Sequence, residues 1–303
     1  MELYKNKEAF LDAIIEASRT LKINESLLEK DYFVMFVLKE LNKCIPGLLF
    51  KGGTCCSHAY HAINRFSEDI DLSLDNNHFG RRHNINANKK IVEVCDRLGF
   101  RILNRDEVIN HSHSSFNRYY VEYPIIFSSL SIKPFIQIEM YFHGKSYPEE
   151  IKKVNSLVGD WLINIGNETA AKDFELIPFE VCVQKIERTF VDKVFAICDY
   201  FERHELERNS RHIYDLYMIS KIIDLSDQSL LKLVEDVRKD RKSNNRCLSA
   251  QDGYDINSTL RKIKDSNVFE SDYNNVTVLL LTEIVTYIEA SSIFDTIINL
   301  KIF

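Results

Sequence analysis

The sequence has no surplus of positive charge. Its formal net charge is −6, which excludes a protein that coats nucleic acid through its overall charge and leaves only locally gathered basic residues for such a task. It has no C-x-x-C pair. The seven cysteines (44, 55, 56, 95, 182, 198 and 247) are odd in number, several fall on apolar faces, and they read as reduced core thiols of a cytosolic protein. It has no apolar run approaching the ~20 residues that span a bilayer. The first residues lack the basic-then-apolar order of a signal peptide. A cytoplasmic location without a membrane partner is expected. No internal repeat or low-complexity segment breaks the 303 residues, which at 45% hydrophobic and 28% charged suffice for one large domain or two ordinary ones.

What is present centres on Phe50-Lys51-Gly52-Gly53-Thr54 and on Arg65-Phe66-Ser67-Glu68-Asp69-Ile70-Asp71-Leu72. The pattern reads as a short strand, a glycine turn, a short helix over 55–61 and a second strand. Gly52 and Gly53 allow close backbone approach and positive φ. Thr54 is placed to cap the helix, whose first N–H groups would form an anion site. Asp69 and Asp71, two apart on a strand, share one face, with Ile70 and Leu72 on the other.

Upstream, helical spacing covers 6–20, and Asn24 can cap a helix from Glu25 to about Leu41, with Leu28, Tyr32, Met35 and Phe36 along one side. Asn88–Leu98 is helical and stopped by Gly99. Residues 118–127 and 132–142 are rich in strand formers. A loop-rich stretch over 143–180, with His143-Gly144, Gly159, Gly166 and Pro178, holds the expected boundary between domains 1–165 and 166–303. Beyond it the pattern predicts helices at 180–203, 210–223, 227–242 and 272–299, with 244–258 as a surface loop. The expected class is α+β: a mixed sheet flanked by helices, then a C-terminal helical bundle.

Two residues of the helical half break pattern. Lys193 sits in an apolar stripe with Phe190 and Ile197, and Asp215 continues the face of Ile219, Ile222 and Ile223. A lysine there needs an anion or a route to water, and a Lys193–Asp215 salt bridge is one answer. Arg65 and Ser67 can touch phosphate or pair with Glu68. His58 and His61 lack the further ligands of a zinc site. Basic residues gather at Arg238, Lys239, Arg241 and Lys242 and again at Arg203, Arg208 and Arg211. Each cluster is either a solvated helix end or a grip on an RNA backbone.

Gly-Gly-Thr followed by Arg-Phe-Ser-x-Asp-Ile-Asp-Leu resembles the DNA polymerase beta-type nucleotidyltransferases, and within them the AbiEii/AbiGii toxins and the related MenT-type toxins. The likeness covers 50–74 and returns at Asp192-Lys193 and at Arg211-His212-Ile213-Tyr214-Asp215-Leu216. It implies Asp69 and Asp71 as ligands of Mg²⁺ or Mn²⁺, with Glu139 either a third carboxylate or an ordinary solvated strand position. It implies Gly52, Gly53, Thr54, Arg65 and Ser67 around the phosphates of an NTP, Lys193 as a ligand of the triphosphate and Asp215 as a residue closing the nucleotide pocket. It further implies a toxin with a cognate antitoxin, and transfer of NMP to an acceptor hydroxyl, with the 3′ end of tRNA foremost. Transfer to protein hydroxyls and a silent nucleotide-binding module are the alternatives, and two adjacent carboxylates weigh against the silent one.

Overall fold

The computed structural model describes residues 1–74, 76–111, 116–129, 132–142 and 147–303, with side chains throughout except at 76–84; His143-Gly144 lies outside them. The chain forms two compact units: residues 1–59 with 67–183, and residues 60–66 with 184–303. The first unit runs to Val183, past the boundary expected at 165, because the strand that starts at Phe179 joins its sheet.

That sheet has seven strands: β1 (Leu49–Lys51), β2 (Asp69–Ser73), β3 (Arg101–Ile102), β4 (Phe116–Glu122), β5 (Ile136–Tyr141), β6 (Glu149–Val154) and β7 (Phe179–Gln184), in the order β3-β4-β5-β2-β1-β7-β6. It is mixed: β1 runs antiparallel to β2 and parallel to β7, β2 parallel to β5, and β4 antiparallel to β5. The α+β class is as the sequence predicts. One face is core, where Ile70, Leu72, Ile138, Met140, Tyr119 and Val121 are fully buried. The residues between them on β4 and β5 stay half-buried or exposed, and they line the face carrying Asp69 and Asp71.

Helix α1 (Lys7–Leu21) is capped by Asn6 and α2 (Glu25–Cys44) by Asn24, whose side chain accepts from the Ser26 N–H. The cap is the expected one. The strand expected over 118–127 stops at Glu122, because Pro124 has no N–H to give the ladder. The N–H groups of Ile126 and Phe127 donate instead to the two oxygens of Glu29, at 2.8 and 3.0 Å. Glu29, Lys30 and Asp31 are consecutive, charged and buried in α2, and each has a polar partner inside the unit, as burial requires.

In the second unit, α8 (Ile186–Glu202), α9 (Arg211–Ser220) and α10 (Ser229–Lys242) occupy the expected helical stretches. The remaining helices of the first unit are α3 (Gly52–His58), α4 (Asn76–Leu98), α5 (Arg105–Asn110), α6 (Leu157–Asn164) and α7 (Glu168–Asp173). Two expectations fail. Residues 180–184 belong to β7, and the single helix expected over 272–299 is several short pieces. The break follows from pairing: Phe66 N–H donates to Leu280 O at 2.9 Å and Thr282 N–H to Asn64 O at 3.0 Å, around an antiparallel bridge between Arg65 and Leu281. A helix missed in the sequence, Ile256–Ser266, overlaps the end of the expected loop. No helix of the described residues is long and apolar enough to cross a membrane.

Candidate active site

β1 runs directly into α3 at Gly52, which has φ +76°. A Cβ there would lie 1.9 Å from Asp71 Oδ2. Backbone and carboxylate meet because Lys51 and Asp71 are register partners across β1 and β2. Gly53 follows in the first turn of α3. Thr54 is not the cap expected of it. It lies buried inside α3, where its hydroxyl donates to the Asp69 carbonyl oxygen at 2.5 Å and sits 3.0 Å from the Ser67 hydroxyl. The Thr54 hydroxyl thus ties the glycine turn to the start of the carboxylate strand.

Asp69 and Asp71 are half-buried on the open face of β2, with Gln137 and Glu139 beside them as register partners on β5. Lys133 Nζ reaches Asp69 Oδ1 at 3.4 Å and Gln137 Oε1 at 3.3 Å. Glu139 is engaged on both oxygens. Arg118 donates from Nε at 2.9 Å and brings Nη2 to 2.8 Å, Gln137 donates from its amide at 2.9 Å and Tyr141 from its hydroxyl at 2.8 Å. Among the described residues no three His, Cys, Asp or Glu side chains gather as a metal-holding group. The pair Asp69 and Asp71 still offers hard oxygens beside a backbone stripped of its Cβ, a donor set that suits Mg²⁺ or Mn²⁺.

Behind the site, Lys30 is fully buried and donates to Lys133 O at 2.9 Å and to Phe135 O, with Glu68 3.6 Å away. Burial brings its pKa down to about 8, against the pull of Glu68 and Asp69. Glu68 lies within ion-pair distance of both Lys30 and Lys133. At the other end of α3, His58 is no zinc ligand. Its Nε2 lies 2.8 Å from Asp31 Oδ1 and its Nδ1 3.0 Å from Asn155 O. Burial works against the imidazolium, yet Asp31 outweighs it and the pKa is raised.

Arg65, Lys193 and Asp215 come together in the second unit. Arg65 grips Asp215 with both prongs, Nε to Oδ1 at 2.6 Å and Nη2 to Oδ2 at 2.7 Å, and Lys193 Nζ reaches Oδ2 at 2.7 Å. Side-chain exposures are 3% for Arg65, 8% for Lys193 and 0% for Asp215. Burial would raise the Asp215 carboxyl, but the Arg65 and Lys193 cations reverse this and hold it well below the usual carboxylate range. His212 beside them is kept neutral, its pKa driven down by burial and then by Lys193 and Arg211, and its Nδ1 is buried without a hydrogen-bond partner. Two cations thus face one carboxylate. The Lys193–Asp215 salt bridge is real, and Arg65 shares the same carboxylate.

Most of the basic tract is committed internally. Arg241 donates to Asp199 at 2.8 Å, Arg238 to Ser249 O at 3.2 Å, Lys242 to both Asp252 oxygens at 2.6 Å, and Arg203 to Glu205 at 2.9 Å. Arg241 and Arg238 fasten α10 to α8 and the segment after it. Lys239 and Arg208 are exposed, and Arg211 is half-buried. The sequence reading missed Arg118, Lys133 and Tyr141. Their signal was alternation: Tyr141 and Glu139 are two apart on β5, as are Phe116 and Arg118 on β4.

The geometry agrees with the comparison to known families. No curated protein matches the chain. The model of the nucleotidyl transferase AbiEii toxin, from type IV toxin–antitoxin systems, matches residues 38–282, a span that includes the glycine turn, both strand aspartates, Lys193 and Asp215. The chain belongs to the AbiEii nucleotidyl transferase toxin family.

Proposed function

We propose that this protein transfers NMP from an NTP to the 3′ hydroxyl of an RNA, tRNA foremost, in the cytoplasm, and that a cognate antitoxin restrains it. The observation that carries the reading is the contact between Gly52 and Asp71: a carboxylate held against a backbone that no side chain shields. The acceptor oxygen attacks the α-phosphorus and loses its proton, the bond to the bridging oxygen breaks, and pyrophosphate leaves. No covalent enzyme intermediate is needed, so positioning and electrostatics supply the catalysis. Asp69 and Asp71 would hold Mg²⁺ or Mn²⁺, which when bound neutralises phosphate charge and lowers the pKa of the attacking hydroxyl. The turn at Gly52 and Gly53 lets phosphate oxygens approach the backbone, and Thr54 with Ser67 fixes that turn to β2. Lys193 is assigned to the triphosphate.

The test is incubation with each labelled NTP, total cellular RNA and total cellular protein. Label is expected in RNA, and Asp71→Asn, which keeps size and removes charge, should cut incorporation by orders of magnitude with the melting temperature preserved. Full activity in Asp71→Asn would sink the assignment. Label confined to protein would favour transfer to protein hydroxyls.

A further inference from the structure

The face of β4 and β5 that carries Glu139 also carries the rings of Phe116, Tyr120 and Tyr141. Phe116 and Tyr141 are register partners with ring centroids 4.7 Å apart. The Arg118 guanidinium lies over the Phe116 ring at 5.5 Å and the Lys51 ammonium over Tyr141 at 4.2 Å. Two residues along β4 the other way, Tyr120 packs edge-on against Phe135 at 5.0 Å. These rings are half-buried, and Arg118 is 43% exposed. Flat rings with cations laid on them, on a sheet face, form the surface on which unpaired nucleobases stack. Beside them, a cavity of about 230 Å³ is walled in part by Phe116, Arg118 and Tyr120.

Strand order says which nucleotide this surface faces. Across the sheet the sequence is β4-β5-β2-β1, and the glycine turn leaves from β1. If the triphosphate lies at that turn, the leaving pyrophosphate is on the β1 side of Asp71. In-line displacement puts attacking and leaving oxygens on opposite sides of the α-phosphorus, so the acceptor enters from the β5 and β4 side. Neighbouring strands are about 4.8 Å apart and residues two apart on a strand about 6.7 Å. Phe116 and Tyr141 are one such step along from Arg118 and Glu139, and Glu139 is the register partner of Asp71. A ring stacked there is within one nucleotide of the reacting oxygen.

We propose that Phe116, Tyr120 and Tyr141, with Arg118 between them, are the stacking platform for the unpaired 3′-terminal bases of the RNA acceptor. The proposal rests on the function proposed above. It makes the enzyme specific for a single-stranded 3′ end while leaving base identity loosely read, because every base has a π-face.

A single-stranded RNA oligonucleotide with 2-aminopurine at its 3′-terminal position tests this by binding alone, without turnover. The wild-type protein should quench the fluorescence on stacking. Phe116→Leu and Tyr120→Leu keep apolar bulk and remove the π-face, and each should lose most of the quench and bind roughly tenfold or more weakly, with affinity for NTP unchanged. Should either variant fail to fold by circular dichroism, Phe116→Trp keeps the platform, and the introduced indole should be quenched by the unlabelled oligonucleotide. The proposal is overturned if the wild type shows no quench, if folded leucine variants bind RNA as tightly as the parent, if they lose NTP affinity instead, or if that indole is unaffected. If the labelling experiment marks only protein while the oligonucleotide still stacks, the platform stands and the transfer reading falls. Labelled RNA with indifferent leucine variants is the reverse.

Discussion

The Asp71 carboxylate occupies the space where a side chain on residue 52 would begin: an ideal Cβ on Gly52 lies 1.9 Å from Asp71 Oδ2 and 2.7 Å from its Cγ. The same residue has φ +76°, so an L side chain meets both a clash and a strained backbone. Gly52→Ala should therefore displace Asp71, abolish transfer and cost about 1–3 kcal/mol of stability from the backbone alone. Urea unfolding and a labelling assay measure the two effects; an active Gly52→Ala of parental stability would show that the contact is absent in solution.

Lys193 and Asp215 should respond unequally to removal. Deleting Lys193 leaves Asp215 its two bonds from Arg65, so Lys193→Met should keep most of the stability while weakening NTP binding. Deleting the carboxylate strands two buried cations, and Asp215→Ala should lose roughly 3–5 kcal/mol. Denaturant melts with and without NTP separate the cases. Equal losses in both variants would make Lys193 purely structural.

His58 gives the stability a pH dependence of known sign. Its folded pKa is raised by Asp31 despite burial, so the pair contributes fully below the unfolded value of about 6.5. The contribution fades as pH rises through the folded pKa. The urea midpoint should fall across that window, and Asp31→Asn should remove the slope. A parental profile in Asp31→Asn would reject the pairing.

The basic tract divides into residues that hold the fold and residues that face water. Arg241→Ser breaks the bond to buried Asp199 and should lower the melting temperature by several degrees, whatever it does to RNA. Lys239 and Arg208 make no ion pair among the described residues, so Lys239→Ser and Arg208→Ser should leave melting unchanged and reduce the salt dependence of RNA binding, if RNA is gripped there. Filter binding across a salt series reads this. A destabilised Lys239→Ser variant would contradict the division.

The local signals in the sequence were strong where chemistry needs a particular residue at a particular spacing. Gly52 before a helix, and Asp69 and Asp71 on one face of a strand, were legible because alternation and the φ freedom of glycine act within a few residues. Asn24 was legible as a cap for the same reason. What the sequence could not decide were meetings between distant residues. Thr54 looked like a cap and serves as a tie to the Asp69 carbonyl, since the energy of a buried hydroxyl depends on which acceptor the fold brings to it. Arg65 could be read as a phosphate contact or as a partner of the neighbouring Glu68; the fold brings it Asp215, 150 residues on, which it grips with both prongs out of water. The strand at 118–127 ended early because Pro124 has no N–H for the ladder, and the helix at 272–299 broke where Leu280 and Thr282 pair with Phe66 and Asn64. The basic tract read as one cluster, yet three of its four members hold internal partners. Charge gathers along a chain by composition; only tertiary packing decides which charges remain for a ligand.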